Sequence, residues 1–261
     1  MVLNKKVVVV MPAYNAEKTL LQTYQEVRNQ ACVDQVILVD DCSRDRTFQL
    51  ARTLDEIIVH KHDRNLGYGA NQKSCYRLAL KHRADIVIML HPDYQYTPQL
   101  IPAMAHLVAC GLYHCVLGSR ILGGYALKGN MPIWKYISNR ALTAIQNLLI
   151  QAKLSEYHTG FRAFSRQLLQ RLQWQEFSDD FLFDNQFLAQ THWFGYQIAE
   201  ITCPTKYFPE ASSINFKSSV RYGCGCLMTS VAFRLAKLQL TALPLFPSNP
   251  PDEDEIRKAV S

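Results

Sequence analysis

Where the apolar run Ile86–Leu90 ends, the chain continues His91, Pro92, Asp93, Tyr94, Gln95. An imidazole, a carboxylate and an amide at alternate positions could share one divalent cation. If the backbone stays extended past the run, His91, Asp93 and Gln95 point to one face. Binding by these groups, directly or through water, leaves coordination positions open for phosphate oxygens. That suits Mg²⁺ or Mn²⁺ bridging a diphosphate, and the histidine favours Mn²⁺. The plain alternative is a turn in which Pro92 ends the strand and Asp93 caps a later helix. A second acidic pair weighs against it, because Asp40 and Asp41 also follow an apolar run, Val36–Val39. Capping by Ser43 or Asp45 explains part of "DDCSRD". A carboxylate at the end of a buried strand must also be paired or desolvated at a cost. Asp40 or Asp41 is therefore expected to accept hydrogen bonds from the base or ribose of a nucleotide.

Such residues need elements to bring them together. Val7–Met11, Val36–Val39, Ile57–His60, Ile86–Leu90 and Cys115–Leu117 are β-branched or apolar runs of strand length. Between them Thr19–Asn29, Arg46–Arg52, Gly69–His82 and Gln99–Cys110 carry spaced apolar residues that predict helices. This alternation predicts an α/β fold, a mostly parallel sheet covered by helices on both faces. In such sheets ligands sit beyond the carboxyl ends of the strands. The five strands end in "PAYN", "DDCSRD", "HKHDRN", "HPDYQY" and "GSR", so one site collecting these loops is the economical expectation. The second half predicts a long proline-started helix over Pro132–Ile150, then "EYHTGFRAFSR", a loop entering a helix in "FSDDFLFDNQFLAQTHW", and a strand at Ile198–Cys203. A loop, "PTKYFPEASSINF", leads to an amphipathic helix over 218–240 and a flexible tail over 241–261. The expected division is 1–217 as one domain of two parts, 1–125 and 126–217, followed by the helix and the tail.

With 261 residues, 48% hydrophobic and 19% charged, the chain can bury a sizeable core. The net charge of +6 comes from scattered Lys and Arg with no basic run among aromatics, which argues against nucleic acid and for an anionic substrate or membrane surface. Eight cysteines include no C-x-x-C pair or zinc spacing, and a reduced, cytoplasmic setting is expected. No stretch reaches the ~20 apolar residues that span a bilayer, so membrane contact is expected to be peripheral. "NLGYGANQK" has Gln72 where a dinucleotide fingerprint needs its third glycine, and no phosphate-binding G-x-x-x-x-G-K-[ST] loop occurs.

"VVMPAYNAEKTL", "LVDDCSRDRT", "NLGYGANQ" and "MLHPDYQYTP", in this order, resemble the motifs of family-2 inverting glycosyltransferases of GT-A (Rossmann-like) fold. The resemblance is greatest to the branch that includes polyprenyl-phosphate sugar synthases. It covers about the first 125 residues well and extends loosely to about 220. It implies that Pro12, Ala13 and Tyr14 line the nucleotide pocket, that Asp40 contacts base or ribose, and that Asn65 and Gly69 lie against the nucleotide or its phosphates. The fourth stretch is similar to a D-A-D-x-Q motif, with Asp93 and Gln95 matching and His91 in place of the first Asp. Ala16 stands where the family often has Glu, with Glu17 next to it. Arg120 and Arg162 resemble the arginines that face donor phosphates or an anionic acceptor, a role suited to the planar guanidinium fork. Asp184 resembles an acidic position used as general base, its alternative being a helix N-cap; His158 is a further candidate.

The implied activity is inverting transfer of a sugar from a UDP- or GDP-linked donor to a polyprenyl phosphate or envelope glycan, aided by Mn²⁺ or Mg²⁺. The partners expected are that donor, that acceptor, a membrane surface on the cytoplasmic side and a second copy in a homodimer. The competing readings are a catalytically silent nucleotide-sugar binder and a sugar-1-phosphate nucleotidyltransferase. The second lacks its glycine-rich loop after the first strand.

Overall fold

A computed structural model describes residues 1–205 and 216–247 of the chain. The elements run β1 (Val7–Ala13), α1 (Leu20–Arg28), β2 (Gln35–Asp40), α2 (Thr47–Ala51), β3 (Ile57–Lys61), α3 (Tyr68–Lys81), β4 (Ile86–Met89), α4 (Ile101–Ala109) and β5 (Cys115–Ser119). They continue with α5 (Ile133–Ile150), β6 (Arg162–Ser165), α6 (Arg166–Arg171), α7 (Phe183–Trp193), β7 (Ile198–Thr202) and α8 (Phe216–Lys237). The strands form one sheet in the order β3-β2-β1-β4-β6-β5-β7. All pairings are parallel except those of β6, which runs antiparallel to both β4 and β5. The fold is α/β with helices on both faces.

Strand alternation explains the two layers. Val8 and Val10 of β1, with Val39, Val87 and Leu117, face one core that also takes Tyr76, Trp174, Phe183 and Phe187. Val7, Val9 and Met11, with Leu38, Ile88 and Val116, face the other, which is closed by Leu20, Met104 and Val108 of α1 and α4. Strands buried on both faces read as continuous apolar runs, which is why the sequence showed them clearly. Each fully buried aliphatic side chain here contributes about 1.5–3 kcal/mol.

β6 was not expected. Its four residues, Arg-Ala-Phe-Ser, put a charged side chain at a fully buried sheet position, where Arg162 pairs with Met89 on one side and Leu117 on the other. The tail expectation also needs correction at its start. Phe246 is fully buried, 5.3 Å from both Trp193 and Phe233 ring centroids, and Gln190 donates to the Leu245 carbonyl at 2.9 Å. An aromatic side chain paired with an apolar groove overrides the proline-rich composition around it. Most of the 204–216 loop, and the tail from 248 on, lie outside the described residues.

Candidate active site

β4 stops at Met89, and the residues after it turn instead of staying extended, with Tyr94 in the left-handed region at φ 59°. The expectation of strand alternation through 91–95 is therefore corrected. Asp93 Oδ1 accepts from the Gln95 amide at 3.1 Å, which closes the turn, and Thr97 rather than Asp93 caps the following short helix. The three side chains still meet. His91, Asp93 and Gln95 all line one cavity of about 290 Å³ at the carboxyl ends of the parallel strands, and Arg120, His158 and Asp184 line it too. Gln95 Nε2 is buried with no hydrogen-bond partner. Among the described residues no group of three or more His, Cys, Asp or Glu could enclose a metal by itself.

The histidine and the Asp184 carboxylate are joined through Tyr68, the first residue of α3. Its hydroxyl lies 2.7 Å from Asp184 Oδ2 and 3.1 Å from His91 Nε2, and its ring stacks on His91 at 5.3 Å. The carboxylate can only accept, so the single Tyr68 proton goes to Asp184 and the Tyr68 oxygen accepts from His91 Nε2–H. Nδ1 is then the lone-pair nitrogen of the ring. Burial, and next the Asp184 charge, pushes the Tyr68 hydroxyl well above the ordinary tyrosine range, so it stays protonated. Asp184 Oδ1 accepts from Gln72 Nε2 at 3.0 Å and pairs with Arg162 at 3.2 Å. Leu182 occupies the N-cap position of α7, so Asp184 is not the cap.

Arg162 has a different duty from the one expected. It is 1% exposed and does not line the cavity, and its nitrogens donate to the carbonyls of Tyr157, Thr159 and Asp184. It fixes the 157–159 loop and Asp184. Arg120 does line the cavity. Its guanidinium is paired with the fully buried Glu156, with Nε donating to Oε1 at 2.8 Å, and it also donates to the His158 carbonyl at 2.7 Å. Burial alone would raise the Glu156 carboxyl, but the Arg120 charge and hydrogen bonds hold it below its usual value. His158 Nδ1 meets the Tyr222 hydroxyl of α8 at 2.8 Å, while its Nε2 is buried without a partner. Burial drives His158 down to about 4, so it is neutral at neutral pH.

The residues expected at the nucleotide lie at the same end of the sheet but do not line this cavity. Pro12 and Ala13 end β1, Tyr14 is 43% exposed beyond them, and Ala13 pairs with Asp40 of β2. Asp40 is fully buried. Its Oδ2 accepts from the Ser43 amide at 3.1 Å, and its Oδ1 has no partner. Asp41 is occupied by the protein itself, since its carboxylate accepts from His62 Nδ1 at 2.8 Å and from the amides of Leu66 at 2.8 Å and Gly67 at 3.0 Å. It shapes the β3–α3 loop. Asn65 in that loop donates to the Asp41 carbonyl at 3.2 Å. The Gly69 amide donates to the Asp179 carbonyl at 2.8 Å, and a Cβ there would come 2.4 Å from the Ser178 carbonyl oxygen, so backbone packing itself requires the glycine. Glu17, next to Ala16, accepts from Arg46 Nε at 2.7 Å.

Sequence reasoning missed Tyr68, Glu156, Tyr222, Trp134 and Lys135. The last two sit on the first turn of α5 and line the cavity beside Arg120. Burial and then Arg120 lower the Lys135 ammonium, which has no acidic partner among the described residues. Only "GYG" offered a signal, and it was read for its glycines.

Comparison with known proteins agrees with this layout. The family model described as Glycosyl transferase family 2 matches residues 8–173. A UDP-N-acetylglucosamine–dolichyl-phosphate N-acetylglucosaminyltransferase of Methanococcus voltae is 29% identical over 185 residues, 65% of this chain and 73% of that protein. A dolichyl-phosphate hexose transferase of Haloferax volcanii is 26% identical over 196 residues, 75% of this chain and 81% of that one. The crystal structure of glucosyl-3-phosphoglycerate synthase from Mycobacterium tuberculosis with uridine diphosphate superposes with a TM-score of 0.67 at 17% identity, covering 88% of this chain and 80% of that one. The same synthase has been crystallised with Mn²⁺ and with Mg²⁺. With more than half its length matching the family model and its sheet matching a GT-A glycosyltransferase, this chain belongs to glycosyl transferase family 2 and is a glycosyltransferase.

Proposed function

We propose that the enzyme moves a sugar from a UDP- or GDP-linked donor, with inversion, to a polyprenyl phosphate, assisted by Mn²⁺ or Mg²⁺. The observation that carries this reading is the composition of the cavity wall. Asp93, Gln95 and His91 come from the metal-type loop, Lys135 and Arg120 supply cations, and Met131, Trp134, Leu142 and Phe181 supply apolar surface. A lining that combines cations and polar groups with apolar surface matches an acceptor that is a phosphate on an isoprenoid chain. Both dolichyl-phosphate relatives support the same acceptor class.

The donor set fits a cation shared with the substrate. One carboxylate, an imidazole with its Nδ1 lone pair available and a partnerless amide are too few to enclose a metal, but Mg²⁺ and Mn²⁺ commonly keep positions for substrate phosphates. Asp93, His91 through Nδ1 and Gln95 would hold it, and it would neutralise charge on the departing diphosphate. The phosphate oxygen of the acceptor forms a bond to the anomeric carbon while the bond from that carbon to the diphosphate oxygen breaks, and the electron pair leaves with the diphosphate. An ionised acceptor needs no general base. The protein's own task is then positioning: Lys135 is placed to meet the acceptor's charge, and Arg162 and Tyr68 hold Asp184 at the cavity wall. On the donor side, the partnerless Asp40 Oδ1 is offered to a base imide or ribose hydroxyl, with Pro12, Ala13, Tyr14 and Asn65 around it. If the acceptor were a glycan hydroxyl, Asp184 would serve as the base that takes its proton.

The test is mass-spectrometric detection of a sugar–polyprenyl phosphate from a panel of nucleotide sugars with Mn²⁺, with the anomeric configuration read by NMR. Product of inverted configuration is expected. Donor binding with no diphosphate release above background would instead identify a silent binder.

A further inference from the structure

We propose that a groove between the end of β3, the outer face of α3 and the 175–179 segment is a second ligand site, suited to a small phosphate-bearing anion. The groove is a basin of about 840 Å³ and shares no lining residue with the cavity of His91 and Asp93. α3 separates the two. Its residues Lys73, Ser74 and Arg77, three and four positions apart, line the groove. Tyr68 and Gln72 of the same helix reach Asp184 on the cavity side. His60 of β3 and Arg64 in the loop after it complete the basic part of the lining. Of the residues assigned above to the nucleotide, Asn65 alone borders this groove.

The groups already spent on the protein set the frame, and those left over identify the ligand. Lys73 is 6% exposed, and its ammonium donates to the Phe177 carbonyl and meets Asp179, the one carboxylate in the lining, at 2.7 Å. His62 is held between Asp41 at 2.8 Å and the Ser74 hydroxyl at 2.9 Å, which fixes the wall on the β3 side. Arg64 and Arg77 are exposed and have no hydrogen bond or ion pair among the described residues. Two unpaired guanidiniums on one basin, with the only acid already engaged, favour an anion that both can share. Their planar forks match phosphate oxygens. The rest of the lining narrows the class. It contains no Phe, Tyr or Trp on which a base could stack, and Leu66 and Ala70 are its only aliphatic side chains, too little surface for a lipid tail. A diphosphate or a phosphorylated sugar, without base or lipid, fits this lining.

The experiment is calorimetric titration of inorganic pyrophosphate into the full chain, in a chelator that removes divalent cations, with and without excess UDP. Binding that UDP leaves unchanged is expected. The double variant Arg64→Gln, Arg77→Gln alters two exposed side chains, so it should keep its melting temperature while its affinity for pyrophosphate falls about tenfold or more. A second double variant, Lys128→Gln, Lys153→Gln, removes the same charge outside the groove and should bind as the wild type does. Absence of binding, displacement of pyrophosphate by UDP, or full affinity in the arginine variant overturns the proposal. Equal weakening in the two double variants does so as well, because it would reduce the effect to diffuse positive charge.

Discussion

Tyr68 has one proton and two polar partners, and its placement links the loop after β4 to the first turn of α7. Replacing it with Phe keeps the ring stacked between His91 and Phe181 but removes the hydroxyl. His91 then loses its fixed tautomer and Asp184 a donor. A double-mutant cycle with Asp184→Asn should show losses in kcat/KM that fail to add, with a coupling of about 1–2 kcal/mol; additive losses would make Tyr68 a packing residue only. The link was not legible in the sequence because its ends lie 23 and 116 positions from Tyr68. The carboxylates Asp40 and Asp93 were legible, since Asp40 ends one buried strand and Asp93 lies in the short turn after another. A second prediction concerns His158 and His192, both lowered by burial from 6.5 to about 4. The unfolded chain takes up these protons first as pH falls. Their contribution to stability is therefore complete above about pH 6.5 and is lost progressively toward about pH 4. Urea unfolding across that window should show the fall, and His192→Gln should make it shallower.

At the scale of elements, the parallel strands and their helices announced themselves through buried apolar runs and spaced apolar residues, while β6 did not. Its four residues include Arg162, and no periodicity rule predicts a buried guanidinium at a sheet centre. That position exists because three carbonyls and Asp184 satisfy it. Replacing Arg162 with Met should destabilise the protein by about 3–5 kcal/mol, because Asp184 loses its buried partner; urea unfolding checks this, and a loss under about 1 kcal/mol would argue against the girder role. The start of α3 gives a parallel case. Gly69 looked like a phosphate contact, yet its amide is spent on Asp179 and its missing side chain admits the 178–180 backbone. Gly69→Ala should cost about 1–3 kcal/mol of stability through overpacking. A stable variant with weakened donor binding would return Gly69 to the nucleotide.

For the molecule as a whole, composition and alternation carried the fold class, and the order of four motifs carried the family. They could not show which residues the protein uses on itself. Asp41, Gly69 and Arg162 resemble ligand contacts in sequence, and their internal hydrogen bonds could not be read there, because partners distant in the chain are fixed only by the fold. Composition misled at the start of the tail, where Phe246 completes the core beside Trp193. Truncating that side chain to Ala should cost about 3–5 kcal/mol, seen as a lower urea midpoint. A cation shared between Asp93 and the donor's diphosphate can be checked by calorimetric titration of nucleotide sugars with and without Mn²⁺ into wild type and Asp93→Ala. Donor binding that depends on Mn²⁺ in the wild type and disappears in a variant of unchanged melting temperature is the predicted result. Equal Mn²⁺-dependent affinity in the two proteins would contradict it.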